Sequence, residues 1–63
     1  MHNSQAPTYA PGTPVINVHD AEPGTVLHGT AQHPATGAWT EYAVATAYGI
    51  ERWPVADFVL RDQ

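Results

Sequence analysis

Apolar and polar residues alternate in short stretches from Gly12 to the end of the chain. These stretches are rich in Val and Thr, and Gly or Pro interrupts them at intervals of roughly 8 to 12 residues. Alternation of this kind is typical of β-strands that bury one face, and no window shows helical periodicity. The pattern predicts five strands at Val15–His19, Thr25–Gln32, Trp39–Thr46, Ile50–Trp53 and Phe58–Arg61.

The segments between these strands contain the residues that turns require. Pro23 and Gly24 suit the central positions of a type II turn, and Gly37 suits a hairpin loop because glycine tolerates positive φ. Pro54 lacks a backbone donor, so Pro54–Asp57 is predicted to form one 3₁₀ turn. A central hairpin and a 3₁₀ turn before the last strand together predict an all-β, five-stranded SH3-like barrel.

The first eleven residues have a different composition from the rest of the chain. Pro7 and Pro11 lie among Asn, Ser, Gln and Thr, with few side chains that could enter a core. Such a segment buries too little apolar surface to order itself. We therefore expect residues 1–11 to form a flexible tail and residues 12–63 to form the domain.

Size and charge restrict the classes of partner. A chain of 63 residues without cysteine has a small core and no disulfide to reinforce it, which favours self-association as a homo-oligomer. The formal net charge is −4 and the only basic residues besides histidine are Arg52 and Arg61. This balance disfavours nucleic acid and anionic membranes as partners. The polar start also lacks the features of a secretory signal, so we expect a cytoplasmic protein.

A group of aromatic and charged residues is the predicted binding surface. Trp39 follows a hairpin loop, Tyr48 lies in a turn, and Glu51 alternates with an apolar neighbour, so these three are expected to be exposed. Exposed aromatic residues often mark protein interfaces. Arg52 and Trp53 complete the predicted surface, although Trp53 also suits the core beside its proline. A second interpretation is that the aromatic residues only cap a thin core.

The residue pattern contains no motif for catalysis or for a cofactor. A nucleophile elbow and a Gly-rich phosphate loop are both missing, and the only serine, Ser4, lies in the predicted tail. His19, Asp20, His28 and His33 are of types that bind zinc, but they lack the short spacing that brings ligands together. We therefore predict no catalytic residues, no metal and no cofactor.

Two resemblances support the predicted fold. The segment Trp53-Pro54-Val55-Ala56-Asp57-Phe58-Val59 resembles the aromatic-Pro-x-x-aromatic-Val ending of SH3 domains. Gly12-x-x-Val15, Tyr42-Ala43-Val44 and Trp53-Pro54-Val55-Ala56 are similar to segments of the type B dihydrofolate reductases. Those plasmid-borne, trimethoprim-resistant enzymes are tetramers of SH3-like chains around a pore that binds NADPH and folate. The resemblance therefore implies an SH3-like fold and self-assembly.

The reductase resemblance departs from its family at the residues that would bind ligands. The family's pore strand reads Val-Gln-Ile-Tyr, whereas this chain has Ile50-Glu51-Arg52-Trp53, and the family's cofactor-binding Lys aligns near Asn17. An anionic Glu51 without a nearby Lys would repel both NADPH and folate.

The functional hypotheses differ in class. A non-enzymatic SH3-like module that binds a protein or assembles with itself is the leading hypothesis, and an oxidoreductase related to the type B reductases is the alternative. The Ala-rich, Lys-free composition also resembles small proteins of actinobacteria and their phages. A third hypothesis is thus an acidic phage-type inhibitor of a host protein.

Overall fold

The computed structural model describes residues 8–61 and shows five antiparallel strands, so the all-β prediction is confirmed. The strands are β1 (Pro14–Asn17), β2 (Pro23–Gln32), β3 (Trp39–Thr46), β4 (Gly49–Pro54) and β5 (Phe58–Leu60). The predicted 3₁₀ turn is present at Val55–Asp57, following Pro54 with φ of −59°. Within residues 8–61, this three-residue turn is the only helical element and is far too short to cross a membrane.

The five strands form one sheet in the order β4-β3-β2-β1-β5. A flat sheet would separate its two edge strands by four interstrand spacings, or roughly 19 Å. The ring of Trp53 on β4 nevertheless lies 6.1 Å, centroid to centroid, from the ring of Phe58 on β5. The sheet is therefore strongly curled. Its edges are not hydrogen-bonded to each other within the described residues, so the sheet is not a closed barrel.

The curled sheet encloses one small core to which every strand contributes. Its buried members are Val15, Val26, Tyr42, Val44, Trp53 and Phe58. Tyr42 and Val44 point inward from β3, as the alternation predicts, and they are 1% and 0% exposed. A Cβ atom at Gly24 would collide with the Val44 side chain and lie 3.1 Å from the Trp53 ring. The absence of a side chain at Gly24 thus allows β2 to approach these residues.

A β-bulge in β2 changes which residues face the core. The sequence alternation predicts Val26 and His28 on one face, but the pairing with β3 shifts register between them. Val26 is fully buried opposite Val44, whereas His28 is exposed. The prediction for His28 is therefore wrong, because a bulge inserts an extra residue into the alternation.

Tyr9 packs on the core from outside the predicted domain. Its ring centroid lies 5.5 Å from that of Tyr42 and 5.1 Å from that of Phe58. The Tyr9 backbone N–H also donates a hydrogen bond of 3.1 Å to the Tyr42 hydroxyl. The packed part of the chain therefore begins at least three residues before the predicted boundary at Gly12. Residues 1–7 of the predicted tail lie outside the described residues.

We predict that Val44→Asp prevents folding. The substitution would bury an unpaired carboxylate at a cost of several kcal/mol, which is comparable with the whole stability of a small domain. Circular dichroism and the dispersion of amide NMR signals would detect the loss. Ile50→Asp on the neighbouring strand is the matched control, because Ile50 is 70% exposed and the variant should fold. A folded Val44→Asp protein would contradict the inward orientation of Val44.

Tyr9→Ala is expected to lower the free energy of unfolding by about 2 kcal/mol, because a half-buried aromatic ring loses its contacts with two other rings. Urea denaturation would measure the difference. Tyr48→Ala removes a side chain that is 86% exposed, and it should change stability by no more than about 0.5 kcal/mol. Equal effects of the two substitutions would mean that Tyr9 does not stabilise the core.

Candidate functional site

A surface cavity of about 560 Å³ lies between the β1–β2 turn and the β3–β4 turn. Three of its lining residues carry carboxylates, and one is an aromatic residue at the tip of the β3–β4 turn. The lining residues are Asp20, Ala21, Glu22, Pro23, Ala47, Tyr48 and Glu51. Tyr48 and Glu51 belong to the predicted binding surface, and the cavity brings these two together.

The β1–β2 turn lies earlier in the chain than the sequence predicts. Pro23 and Gly24, which were expected at its centre, are the first residues of β2, and the turn itself spans residues 18–22. The Asn17 side-chain oxygen accepts the His19 N–H at 2.9 Å, which forms an Asx-turn at the start of this segment. The residue of this turn with a positive φ is Ala21, at 61°, and not a glycine.

Asp20 and Glu22 reach the cavity because of this turn. The Asp20 Oδ1 atom accepts the Glu22 N–H at 3.0 Å, which fixes one carboxylate at the cavity wall. The Asn17 N–H donates to the Glu22 carbonyl at 2.8 Å and closes the turn. Sequence reasoning considered Asp20 only as a metal ligand and did not select Glu22. Two acidic residues in the run Asp20-Ala21-Glu22, next to a predicted turn, were the sequence feature that could have indicated an acidic surface here.

Glu51 faces inward, contrary to the expected alternation on β4. Ile50, which was expected to face the core, is 70% exposed, whereas Glu51 is half-buried. The orientation follows from Trp53, which is buried with 4% exposure and lies two residues after Glu51 on the same face. The Trp53 indole N–H donates a 2.8 Å hydrogen bond to Glu51 Oε1. Glu51 is thereby held between the core and the cavity.

Glu22 is the carboxylate with a perturbed proton affinity. Burial raises the pKa of Glu22 above its ordinary value of 4.5, and the negative charges of Glu51 and Asp20 raise it further. The Thr46 hydroxyl acts on this pKa in the opposite direction. Glu22 Oε2 is buried and has no hydrogen-bond partner among the described residues. The site therefore places two carboxyl groups, Glu22 and Glu51, closer together than their charges favour.

The other three predicted surface residues lie away from the cavity. Trp39 is half-buried, with its ring over Gly29 and its centroid 6.4 Å from that of Tyr42. Trp53 is a core residue, so its ring is not available at the surface. Arg52 is exposed on the outer face of β4. Of the three aromatic residues predicted for the binding surface, Trp39 and Trp53 pack on or in the core, and Tyr48 lines the cavity.

The histidine and acidic residues do not assemble into a metal centre in the part of the chain that the structure describes. No group of three His, Asp or Glu side chains within residues 8–61 could hold an ion. His19 instead pairs with Asp57 at 3.0 Å between Nε2 and Oδ1. This contact links the β1–β2 turn to the 3₁₀ turn.

Comparisons with known proteins give no further assignment. The chain matches no protein-family model, no curated protein and no solved structure.

We predict that Glu22→Gln makes stability less dependent on pH. Because the pKa of Glu22 is higher in the folded protein, the native state binds this proton more tightly than the unfolded chain does. This proton therefore stabilises the folded state. The stabilisation is fully present when the pH is below the ordinary pKa of 4.5, and it is lost as the pH rises through the raised pKa of the folded protein. Glutamine does not titrate, so the variant should be more stable than the wild type at neutral pH, and the difference should shrink on acidification.

Urea denaturation of both proteins at several pH values would test this expectation. A difference between the variant and the wild type that stays constant from acid to neutral pH would contradict the raised pKa of Glu22.

Proposed function

We propose that this chain is a non-enzymatic, SH3-like module that binds a protein partner at the cavity between its two turns. The observation that carries the proposal is the position of Tyr48, whose side chain is 86% exposed beside a cavity of about 560 Å³. Covering a tyrosine ring buries a large area and immobilises few torsions, which makes such residues effective binding anchors.

The charge of the cavity favours a cationic group on the partner. Asp20, Glu22 and Glu51 line the cavity, and no Lys or Arg does. A guanidinium group of the partner can make two contacts here. It can donate paired hydrogen bonds to a carboxylate, and it can stack on the Tyr48 ring. Arginine suits both contacts better than lysine because its planar group forms them together. The volume falls within the range of pockets that hold whole small molecules, so it leaves room for more of the partner than one guanidinium group.

The strand arrangement supports an SH3-like fold, in which the barrel stays open between β4 and β5, as the framework for this surface. The order β4-β3-β2-β1-β5, the 3₁₀ turn before β5 and the close approach of Trp53 to Phe58 are all expected for such a barrel. In this framework the two turns at one end of the sheet are free to carry recognition residues, because the core does not need them.

The alternative oxidoreductase hypothesis gains no support from the cavity. NADPH and folate are both anionic, and a pocket with three carboxylates and no Lys or Arg in its lining repels them. Arg52 lies on the outer face of β4, away from the cavity. A binding function therefore fits the electrostatics better than hydride transfer does.

We predict that the peptide Gly-Gly-Arg-Gly-Gly shifts the amide NMR signals of the cavity residues, whereas the same peptide with citrulline does not. Citrulline has nearly the same shape as arginine but no charge, so the pair isolates the electrostatic contribution. Tyr48→Ala and Asp20→Asn should each weaken binding several-fold. Asparagine retains the oxygen that accepts the Glu22 N–H, so the turn should persist.

Glu41→Gln is the matched control, because Glu41 is a carboxylate outside the cavity that bonds Thr30 at 2.7 Å. This variant should bind like the wild type. Equal binding of the two peptides, or shifts confined to residues far from the cavity, would exclude the proposed surface. Turnover of NADPH with dihydrofolate would contradict a non-enzymatic role.

A further inference from the structure

Two carboxyl groups continue the core-facing side of the sheet into the cavity. Glu51 lies two residues before Trp53 on β4 and shares its inward face. Glu22 lies two residues before Gly24, whose position faces the Val44 side chain. Both glutamates line the cavity, and each is a charged neighbour of the other. The pair therefore lies where the enclosed core ends and the cavity begins.

The hydrogen bonds around this pair leave two carboxylate oxygens without a close donor. Glu51 Oε1 accepts the Trp53 indole N–H at 2.8 Å. The Thr46 hydroxyl lies 3.5 Å from Glu51 Oε2, but it has one proton and lies closer, at 2.9 Å, to the Gly49 carbonyl. Glu22 Oε2 is buried and has no hydrogen-bond partner within residues 8–61. One oxygen of each glutamate thus lacks a close donor.

A single proton supplies the missing donor. A buried oxygen without a hydrogen bond is unfavourable, and protonation changes a carboxylate from an acceptor into a donor. Glu51 already accepts the Trp53 N–H, which suits it to the acceptor role and leaves the proton to Glu22. In agreement with this assignment, burial and the negative charges of Glu51 and Asp20 raise the pKa of Glu22. Two carboxyl groups that share a site commonly hold one proton in this way.

The other titratable groups at the cavity do not replace this proton. Asp20 is exposed, and its Oδ1 atom already accepts the Glu22 N–H at 3.0 Å. Tyr48, from the β3–β4 turn, is 86% exposed. His19 belongs to the same turn as Asp20 but contacts Asp57 at 3.0 Å. Among the described residues, no Lys, Arg or His lines the cavity, so no cation of the fold neutralises the pair.

We propose that Glu22 and Glu51 share one proton when no partner is bound, and that the cationic group of a partner displaces this proton. The Glu22 O–H bond breaks and the proton passes to solvent, which leaves both carboxylates able to accept hydrogen bonds from the partner. Because the proton and the cation compete for the same oxygens, the affinity for the cation rises with pH until Glu22 is ionised in the free protein. The displacement rests on the proposed binding function, whereas the shared proton does not.

Carbon-13 NMR of the glutamate side-chain carboxyl groups in the full chain would test the shared proton. The Glu22 and Glu51 signals should move over the same pH steps, because coupled groups titrate together. In Glu22→Gln, Glu51 should lose the step at the higher pH. The matched control is Glu41→Gln, outside the cavity, which should leave both titrations unchanged. Wild-type titrations of Glu22 and Glu51 that have no step in common would overturn the shared proton, and so would a Glu51 titration that Glu22→Gln does not change.

The pH dependence of peptide affinity tests the displacement. Amide NMR shifts give the dissociation constant of Gly-Gly-Arg-Gly-Gly, which should increase on acidification through the Glu22 titration by up to roughly tenfold per pH unit. Glu22→Gln has no proton to displace, so its affinity should stay constant over that range, whereas Glu41→Gln should follow the wild type.

The two experiments separate this inference from the binding function. Wild-type affinity that stays constant through the Glu22 titration would overturn the displacement and leave binding at the cavity intact. A peptide that binds at no pH would overturn both the binding function and the displacement. The carboxyl titrations decide the shared proton in either case, because they need no partner.

Discussion

The buried Trp53 side chain connects the core of this protein to its candidate site. Its ring lies 6.1 Å from that of Phe58 and brings the two edge strands of the sheet together. Its indole N–H donates to Glu51 at 2.8 Å, so the same residue fixes a carboxylate at the cavity. The curl of the sheet and the inward orientation of Glu51 therefore have one origin. Gly24 is part of this arrangement, because a side chain there would occupy the space of Val44 and Trp53.

The cavity accumulates negative charge that the fold does not neutralise. Asp20, Glu22 and Glu51 come together from a turn and a strand that are distant in sequence, and burial raises the pKa of Glu22. Such an arrangement costs stability in a domain whose core contains six buried residues. Asp20 and Glu51 each accept a hydrogen bond within the fold, whereas the Tyr48 side chain beside them is left exposed. A cationic group of a partner would offset the repulsion and cover the ring.

Local sequence patterns predicted the five strands, the 3₁₀ turn and the inward position of Val44, because alternation and turn residues act over a few neighbouring positions. The remaining features depend on contacts between residues that are distant in sequence. The bulge after Val26 changed the face of His28, the burial of Trp53 turned Glu51 inward, and Tyr9 found a place against two core rings. The cavity joins Glu22 to Glu51 across 29 positions, and no local pattern encodes such a contact. Its geometry depends on how far the sheet curls, which the packing of the whole core determines.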